Sequence, residues 1–301
     1  MVTLSGTCPV TGRDVRHAAG LVGADILGSL SPALHEREAA ECGLRYVYLI
    51  FDIHQLGIDA HAADALVDAA RRLGFCGLNI THPCKQLVIE HLDELSHDAR
   101  AIGAVNTVVF AEGRAIGHNT DWFGFREGLR RSLPEASADE VVVLGAGGAG
   151  AAATYALLGG GARHVTVIDA DEGRARRLAS RLVHPRATGS VSAAPLGRLA
   201  RCLEPAAGLV QATPVGMSPR GGMPVDPAVL RPSLWVYDIV YRPLETELLR
   251  RARALGCPTV DGGAMAVLQA AEALRLFTGV QPDSERMLAH LAALENREEQ
   301  P

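Results

Sequence analysis

Lysine is almost missing from this chain: all but one of its 29 basic residues are arginine, and Lys85 is the exception. Aromatic residues make up only 4%, no two cysteines have C-x-x-C spacing, and no long basic block occurs. With a formal charge of -5, these gaps exclude a surface that tracks a phosphate backbone, so nucleic acid is not an expected partner. The six cysteines (Cys8, Cys42, Cys76, Cys84, Cys202 and Cys257) are scattered, and no secretory signal opens the sequence. They read as reduced thiols of a cytoplasmic protein. Charge is absent from Val141 to Ala162, a length that mimics a membrane span. Glycines near its start would break a spanning helix, so it reads as a buried strand, a glycine turn and a buried helix, and no membrane partner is expected. G-x-S-x-G and H-E-x-x-H are both missing and the histidines do not cluster, which removes the usual hydrolase and metal motifs; no metal is expected.

What remains is a chain of 301 residues, 48% hydrophobic and 21% charged, a globular balance long enough for two domains. Residues 1–19 have no periodicity and read as a flexible leader. After them short apolar runs alternate with amphipathic segments. Strands are predicted over 21–27, 46–53, 75–80 and 104–110, with helices over 32–42, 60–73 and about 85–92. A polar stretch, 132–140, is followed by the apolar run of Val141–Leu144, then by strands at 164–169, 207–213 and 235–240, a helix over 174–182, and a helix-rich tail from Met265 to about Glu298. This rhythm predicts an α/β fold of two three-layer αβα domains. The tail needs an apolar surface, so it is expected to return to the first domain and make that domain discontinuous: 20–121 plus 262–298, with 122–261 between.

Gly145, Gly147 and Gly150 form G-x-G-x-x-G after a strand and before an alanine-rich helix. In that context the first glycine permits a tight turn, the second lets the backbone approach a pyrophosphate, and the third allows close helix–strand packing. Ala146, Gly148 and Ala149 complete the loop. Asp169 closes the second strand of this unit, where a carboxylate accepts hydrogen bonds from adenosine ribose hydroxyls and repels a 2′-phosphate; it argues for NAD over NADP. Arg174 points the other way, since an arginine there could reach a 2′-phosphate or stack near the adenine.

A nicotinamide enzyme that oxidises an alcohol needs a base for the hydroxyl proton. An amine kept in a chain otherwise supplied with arginine suits that role, because guanidinium groups do not deprotonate; a GC-rich genome would leave the same count by chance. Asp121 could orient the ammonium, or simply cap the helix beginning near Trp122. Ser31 before Pro32 could likewise be only a helix cap, whereas Ser29 has no such explanation. Hydroxyls at i and i+2 in extended backbone point the same way and could grip a carboxylate.

Together these motifs resemble the shikimate/quinate dehydrogenase family from about Gly23 to Leu294. The resemblance rests on S-x-S-P at Ser29–Pro32, N-[VI]-T-x-P-x-K at Asn79–Lys85, I-G-A-V-N-T at Ile102–Thr107 and G-x-N-T-D at Gly117–Asp121. It continues through G-A-G-G-A-G at Gly145–Gly150, A-T-P-x-G-M at Ala212–Met217 and the Met265…Gln269 tail. It implies an N-terminal substrate domain, a Rossmann-type NAD domain in the C-terminal half, and a cleft between them that takes a cyclic hydroxy acid. Lys85 and Asp121 would be the catalytic pair, and Ser29 and Ser31 would bind the carboxylate with Tyr241 close by. Thr81, Asn106 and Gln269 would contact ring hydroxyls; Thr213, Ile239 and Gly262 would border the nicotinamide. The expected assembly is a monomer or homodimer. NADP-using members commonly carry Asn-Arg-Thr where this chain has Asp169-Ala170-Asp171; in that respect it resembles the NAD-dependent quinate/shikimate branch. Cys84 stands for a usual aromatic, and Arg242 for the usual Asn after Tyr241. Ser31 suits shikimate, while quinate-preferring relatives often have Thr or Gly there. The alternatives are an NADP-dependent biosynthetic enzyme, an enzyme for an amino analogue of either acid, and a non-enzymatic NAD or metabolite sensor.

Overall fold

Two six-stranded sheets organise the chain. The computed structural model describes residues 16–182, 184, 188–218 and 221–298; residues 1–15 of the expected leader lie outside them. The first sheet comprises β1 (Arg16–Gly23), β2 (Arg45–Asp52), β3 (Gly77–Ile80), β4 (Glu94–Leu95), β5 (Thr107–Ala111) and β6 (Arg114–His118), in the order β2-β1-β3-β5-β6-β4. The second comprises β7 (Glu140–Leu144), β8 (His164–Ile168), β9 (Ser190–Ala194), β10 (Gly208–Gln211), β11 (Trp235–Asp238) and β12 (Thr259–Val260), in the order β12-β11-β10-β7-β8-β9. Among the helices are α1 (Ser31–Glu41), α2 (Ala63–Arg72), α3 (His97–Ile102), α4 (Asp121–Ser132), α5 (Gly148–Gly159), α6 (Glu172–Arg181), α7 (Leu199–Leu203), α8 (Glu247–Ala254), α9 (Gly262–Thr278) and α10 (Ser284–Glu298).

Every strand pair of the second sheet is parallel. Its order is the doubly wound dinucleotide-binding order, with a topological switch between β7 and β10 and a crevice beyond their C-terminal ends. Strands buried on both faces are continuously apolar, and Val141, Val142 and Val143 are at most 1% exposed. The first sheet is mixed. β1 pairs with β2 and β3 in parallel, whereas β5 runs antiparallel to both β3 and β6.

Several local readings of the sequence differ from the structure. β1 begins at Arg16, where Arg16 pairs with Arg45, so 16–19 belong to a strand and not to a leader. β6 went unrecognised because its hairpin turns at Glu112 and Gly113, both at positive φ (53° and 77°), and glutamate is not a residue that announces such a turn. The helix expected over 85–92 is instead a turn followed by a short 3-10 segment, Leu87–His91; a piece this short with Pro83 at its start cannot recover the cost of α-helix nucleation.

The tail forms α9 and α10, broken at Gly279, which caps α9 at φ 74°. α9 packs against α4 and α1, and α10 against α9 and α1. Glu38 of α1, 1% exposed, accepts two hydrogen bonds from Arg286 of α10, the shorter 2.6 Å. The two sheets are linked where Tyr155 of α5 donates to Asp98 of α3 at 2.5 Å and Arg181 donates to the Ile102 carbonyl at 2.7 Å. No described helix is long and apolar enough to cross a membrane.

Candidate active site

Lys85 and Asp121 are 36 residues apart in sequence, yet Lys85 Nζ donates to Asp121 Oδ2 at 2.6 Å. Register explains the meeting. β3 pairs with β5 through Asn79↔Thr107, and β5 with β6 through Thr107↔His118. Reversing direction twice makes β3 and β6 co-directional, so the residues that follow them emerge at one sheet edge. The side chains of Lys85 and Asp121 are 20% and 7% exposed, a pair with limited access to water.

Asp121 does not cap α4. Asn119 Oδ1 accepts from the backbone N–H groups of Asp121 and Trp122, at 3.1 and 3.4 Å, and Asn119 Nδ2 is anchored on the Ala104 carbonyl at 2.9 Å. Asn119 therefore takes the capping role and leaves the Asp121 carboxylate to Lys85 and Asn106. Asn106 Nδ2 reaches Asp121 Oδ1 and Thr120 Oγ1, both at 2.9 Å, and Gln269 Oε1 at 3.3 Å. Gln269 arrives on α9, which packs closely enough on α4 that a Cβ on Gly124 would lie 2.6 Å from the Met265 carbonyl oxygen. Thr81 follows β3 and faces Gly23, where a Cβ would lie 2.3 Å from Thr81 Cγ2.

Ser29 and Ser31 are brought together, but not in extended backbone. Leu30 between them is helical (φ -82°, ψ -3°), and Ser29 Oγ both accepts from the Ser31 N–H at 3.2 Å and donates to Ser31 Oγ at 3.1 Å. The local turn belongs to Ser29, while the Ser31 hydroxyl caps nothing; this is the reverse of the sequence reading. Ser31 lies near the phenol of Tyr48, which burial pushes well above its ordinary range against the opposing effect of the Ser31 hydroxyl. Tyr241 lies near Ser29; burial raises that phenol too, against the opposing effects of the Arg242 charge and the Ser29 hydroxyl. The paired hydroxyls of Ser29 and Ser31 thus lie near two buried phenols, Tyr48 on β2 and Tyr241 beyond β11. Tyr48 was missed by sequence reasoning. Its Oη donates to Asn79 Oδ1 at 2.8 Å, and alternation along β2 gave no hint of that cross-sheet bond.

On the other side of the cleft, Gly145 (φ 110°) turns the chain after β7, and a Cβ there would lie 2.7 Å from the Ala212 carbonyl oxygen. A Cβ on Gly150 would lie 1.9 Å from the Gly145 oxygen, whereas one on Gly147 would meet nothing within 4 Å. The loop is therefore closed against the protein at its first and third glycines and open at its second, which fits a pyrophosphate cradled by the amides at the α5 N-terminus. Gly148 and Ala149 open α5, and Gly148 faces the first sheet: a Cβ on it would lie 3.2 Å from Lys85 Cδ.

Asp169 is aimed at this loop. Its Oδ2 accepts from Ala146 N–H at 2.7 Å and its Oδ1 from Asp171 N–H at 2.8 Å. Arg174 is not drawn into the loop; its Nε lies 3.5 Å from Asp171 Oδ2 in an exposed pair. Thr213 and Ile239 follow β10 and β11, and Gly262 opens α9 so tightly that a Cβ would lie 2.3 Å from the Ile239 oxygen. The buried Gln211, also unforeseen, braces the Thr213 loop, its Nε2 reaching Thr213 Oγ1 at 2.9 Å and the Val215 carbonyl at 2.8 Å.

Comparison with known proteins agrees with this geometry. A family profile described as shikimate dehydrogenase substrate binding domain matches residues 21–108. The shikimate dehydrogenase (NADP(+)) of Streptomyces avermitilis is 58% identical over 278 residues, 92% of this chain and 96% of that protein. The quinate/shikimate dehydrogenase (NAD(+)) of Corynebacterium efficiens is 46% identical, covering 91% of this chain and 97% of its own. The structure of quinate dehydrogenase from Corynebacterium glutamicum in complex with NAD superposes with a TM-score of 0.85 at 44% identity, over 92% of this chain and 99% of that one. Motif order, sheet topology and identity along nearly the full length lead to one conclusion: the chain belongs to the shikimate/quinate dehydrogenase family, oxidoreductases that act on a CH–OH group.

Proposed function

We propose that this chain is a cytoplasmic NAD-dependent dehydrogenase, monomeric or homodimeric, that interconverts shikimate, and also quinate, with the 3-dehydro ketone. The observation that carries the reading is the Lys85–Asp121 pair, 2.6 Å apart, with the glycine loop facing Lys85 across the cleft. In this reading Lys85 takes the C3 hydroxyl proton during oxidation and returns it during reduction. Asp121, held by Asn106, fixes the Lys85 amine that receives this proton and accepts from the same hydroxyl. Asn106, Gln269 and Thr81 hold ring hydroxyls, and Ser29, Ser31 and Tyr241 hold the carboxylate, with Tyr48 added to that set. When bound, NAD supplies the hydride acceptor. Gly145, Ala146, Gly147, Gly148 and Ala149 would hold its phosphates, Asp169 its adenosine ribose, and Thr213, Ile239 and Gly262 would flank its nicotinamide.

The preference for NAD rests on Asp169. Two backbone N–H groups orient its carboxylate, which retains acceptor capacity for ribose hydroxyls. A 2′-phosphate placed there would meet the carboxylates of both Asp169 and Asp171, and Arg174 is already paired with the latter. A second reading, NADP dependence, is favoured by the name of the Streptomyces relative. Steady-state kinetics with each acid and each cofactor separate the two: NAD should give the higher kcat/KM, and Asp169→Ala should narrow the ratio. Lys85→Ala should lower turnover by about 10²–10⁴-fold, the usual worth of general acid–base catalysis, without changing NAD affinity. A variant that kept more than half of wild-type turnover would remove Lys85 from the chemistry.

A further inference from the structure

One short helix of the first sheet's side, α3, is held from the second sheet's side at both of its ends. Near its start, Asp98 accepts from the Tyr155 hydroxyl of α5 at 2.5 Å; at its last residue, the Ile102 carbonyl accepts from Arg181 Nη2 at 2.7 Å. The segment that leaves α3 then builds the site. Gly103 turns the chain at φ 65°, and a Cβ on it would lie 2.1 Å from the Arg181 guanidinium. Each of the next three residues holds one part of the catalytic pair's surroundings. The Ala104 carbonyl accepts from Asn119, the residue that caps α4 at Asp121. Val105 N–H donates to the Lys85 carbonyl at 2.8 Å, and Asn106 donates to Asp121 at 2.9 Å.

The residues that reach α3 belong to the two helices that carry the cofactor groups. Gly148 opens α5, and Tyr155 lies two turns further along it. Asp171, two residues beyond Asp169, caps the start of α6, and Arg181 is its last residue. A Cβ on Gly148 would lie 3.2 Å from Lys85 Cδ and 3.5 Å from Ala104 Cβ, so the loop rests on the segment that α3 directs. The Tyr155 ring is packed independently of its hydroxyl: it is 2% exposed, set edge-on to Trp122 at 5.7 Å and against His184 at 4.5 Å. Burial and the Asp98 carboxylate both raise the phenol well above its ordinary range. It therefore stays a donor, at a distance typical of hydroxyl-to-carboxylate bonds.

We propose that Tyr155 and Arg181 are positioning residues for hydride transfer, which set the approach of the cofactor loop to Lys85 by holding α3 through Asp98 and the Ile102 carbonyl. The inference rests on the proposed reaction, in which the substrate carbon and the nicotinamide are presented by different halves of the molecule. A displacement of about 1 Å between reacting groups can cost about 100-fold in rate, so a contact remote from the chemistry can govern it.

The test measures single-turnover hydride transfer from shikimate to NAD in the full-length enzyme, with C3-deuterated shikimate identifying the hydride step. The rate is expressed per cofactor site titrated with NADH, so that any unfolded fraction cancels. Tyr155→Phe keeps the ring and removes the donor; it should slow the step about 10-fold, with dissociation constants for NADH and shikimate within about twofold of wild type. Asp98→Ala should match it, and the double variant should be no slower than either single one. Asp98→Asn still accepts from the phenol and should stay within about threefold of wild type. Arg181→Met should also slow the step, and Arg181→Lys should recover part of the rate. An unchanged rate per site in Tyr155→Phe would overturn the proposal, as would a loss matched by an equal weakening of NADH binding. Lys85→Ala is measured in parallel. If it slows turnover while Tyr155→Phe does not, only the positioning proposal fails; if Lys85→Ala keeps the wild-type rate while Tyr155→Phe loses it, the positioning stands and the role given to Lys85 is wrong.

Discussion

The two sheets bury their strands by different rules. In the second, all-parallel sheet, β10 and β11 are buried at every residue and β7 at four of five, and the site receives from it chiefly backbone: a glycine loop, a helix N-terminus and an acid at a strand end. In the first, mixed sheet, β2 alternates between exposed and covered positions, with Val47 and Leu49 each 43% exposed. That sheet and the loops at its edge supply most of the polar side chains of the site. A parallel sheet covered on both faces has little room for side chains at its crevice and offers amides and helix dipoles instead. A mixed sheet, whose strands reverse, can bring residues from distant segments to one edge.

Gly150→Ala would press this contrast hardest. A methyl group 1.9 Å from the Gly145 oxygen must displace the loop, so a loss of more than about 3 kcal/mol is expected, at the upper end of overpacking costs, together with loss of cofactor binding. Gly147→Ala adds a methyl where nothing lies within 4 Å; it should leave the urea midpoint unchanged and weaken only NAD binding. Equal midpoints for the two variants would undo the distinction between the closed and open glycines.

The lobes should also respond oppositely to pH. Burial raises the Asp238 carboxyl of β11 to about 6 from 3.8, so the native state favours its proton. Its contribution is complete below pH 3.8 and is lost as pH rises through 6, at most about 3 kcal/mol for such a shift. Burial lowers the His35 imidazole of α1 to about 3 from 6.5; its contribution is present above pH 6.5 and is lost as pH falls toward 3. Asp238→Asn should therefore melt higher than wild type at pH 7.5 and alike at pH 4. A melting curve parallel to wild type across that range would contradict the assignment to Asp238.

The smallest expected effect concerns buried polar atoms. In the first sheet Asn79 is fully engaged, accepting from Tyr48 and donating to the Asn106 carbonyl and Thr107 Oγ1. In the second, the buried Tyr237 hydroxyl has no partner. Tyr237→Phe should be neutral or stabilising by up to about 1 kcal/mol, since an unpaired buried hydroxyl carries only its desolvation cost. A clear destabilisation in chemical unfolding would mean that this hydroxyl contributes after all.

Legibility followed the same divide. The glycine loop, Asp169 and the apolar runs of the second sheet were readable because each is a local pattern with a local cause. Lys85 was conspicuous by composition. The hairpin at Glu112–Gly113, the Tyr48–Asn79 bond, the capping by Asn119 and the Arg242–Gly28 clasp were not readable, because each depends on a partner far away in sequence or on a turn residue that does not advertise its conformation. Ser29 and Ser31 were identified as a pair, yet their roles in the local turn were exchanged, since the helical Leu30 between them leaves no mark on sequence.

The amino-acid order alone settled the α/β alternation, the phosphate-type loop and the acid that follows the next strand, all of which arise from interactions within a few residues. Only the folded chain decided that Lys85 and Asp121 meet at hydrogen-bond distance, and that Arg242 reaches the Gly28 carbonyl. Those meetings depend on strand register and on the packing of one lobe against another, free energies of non-local contacts that no short stretch of sequence contains.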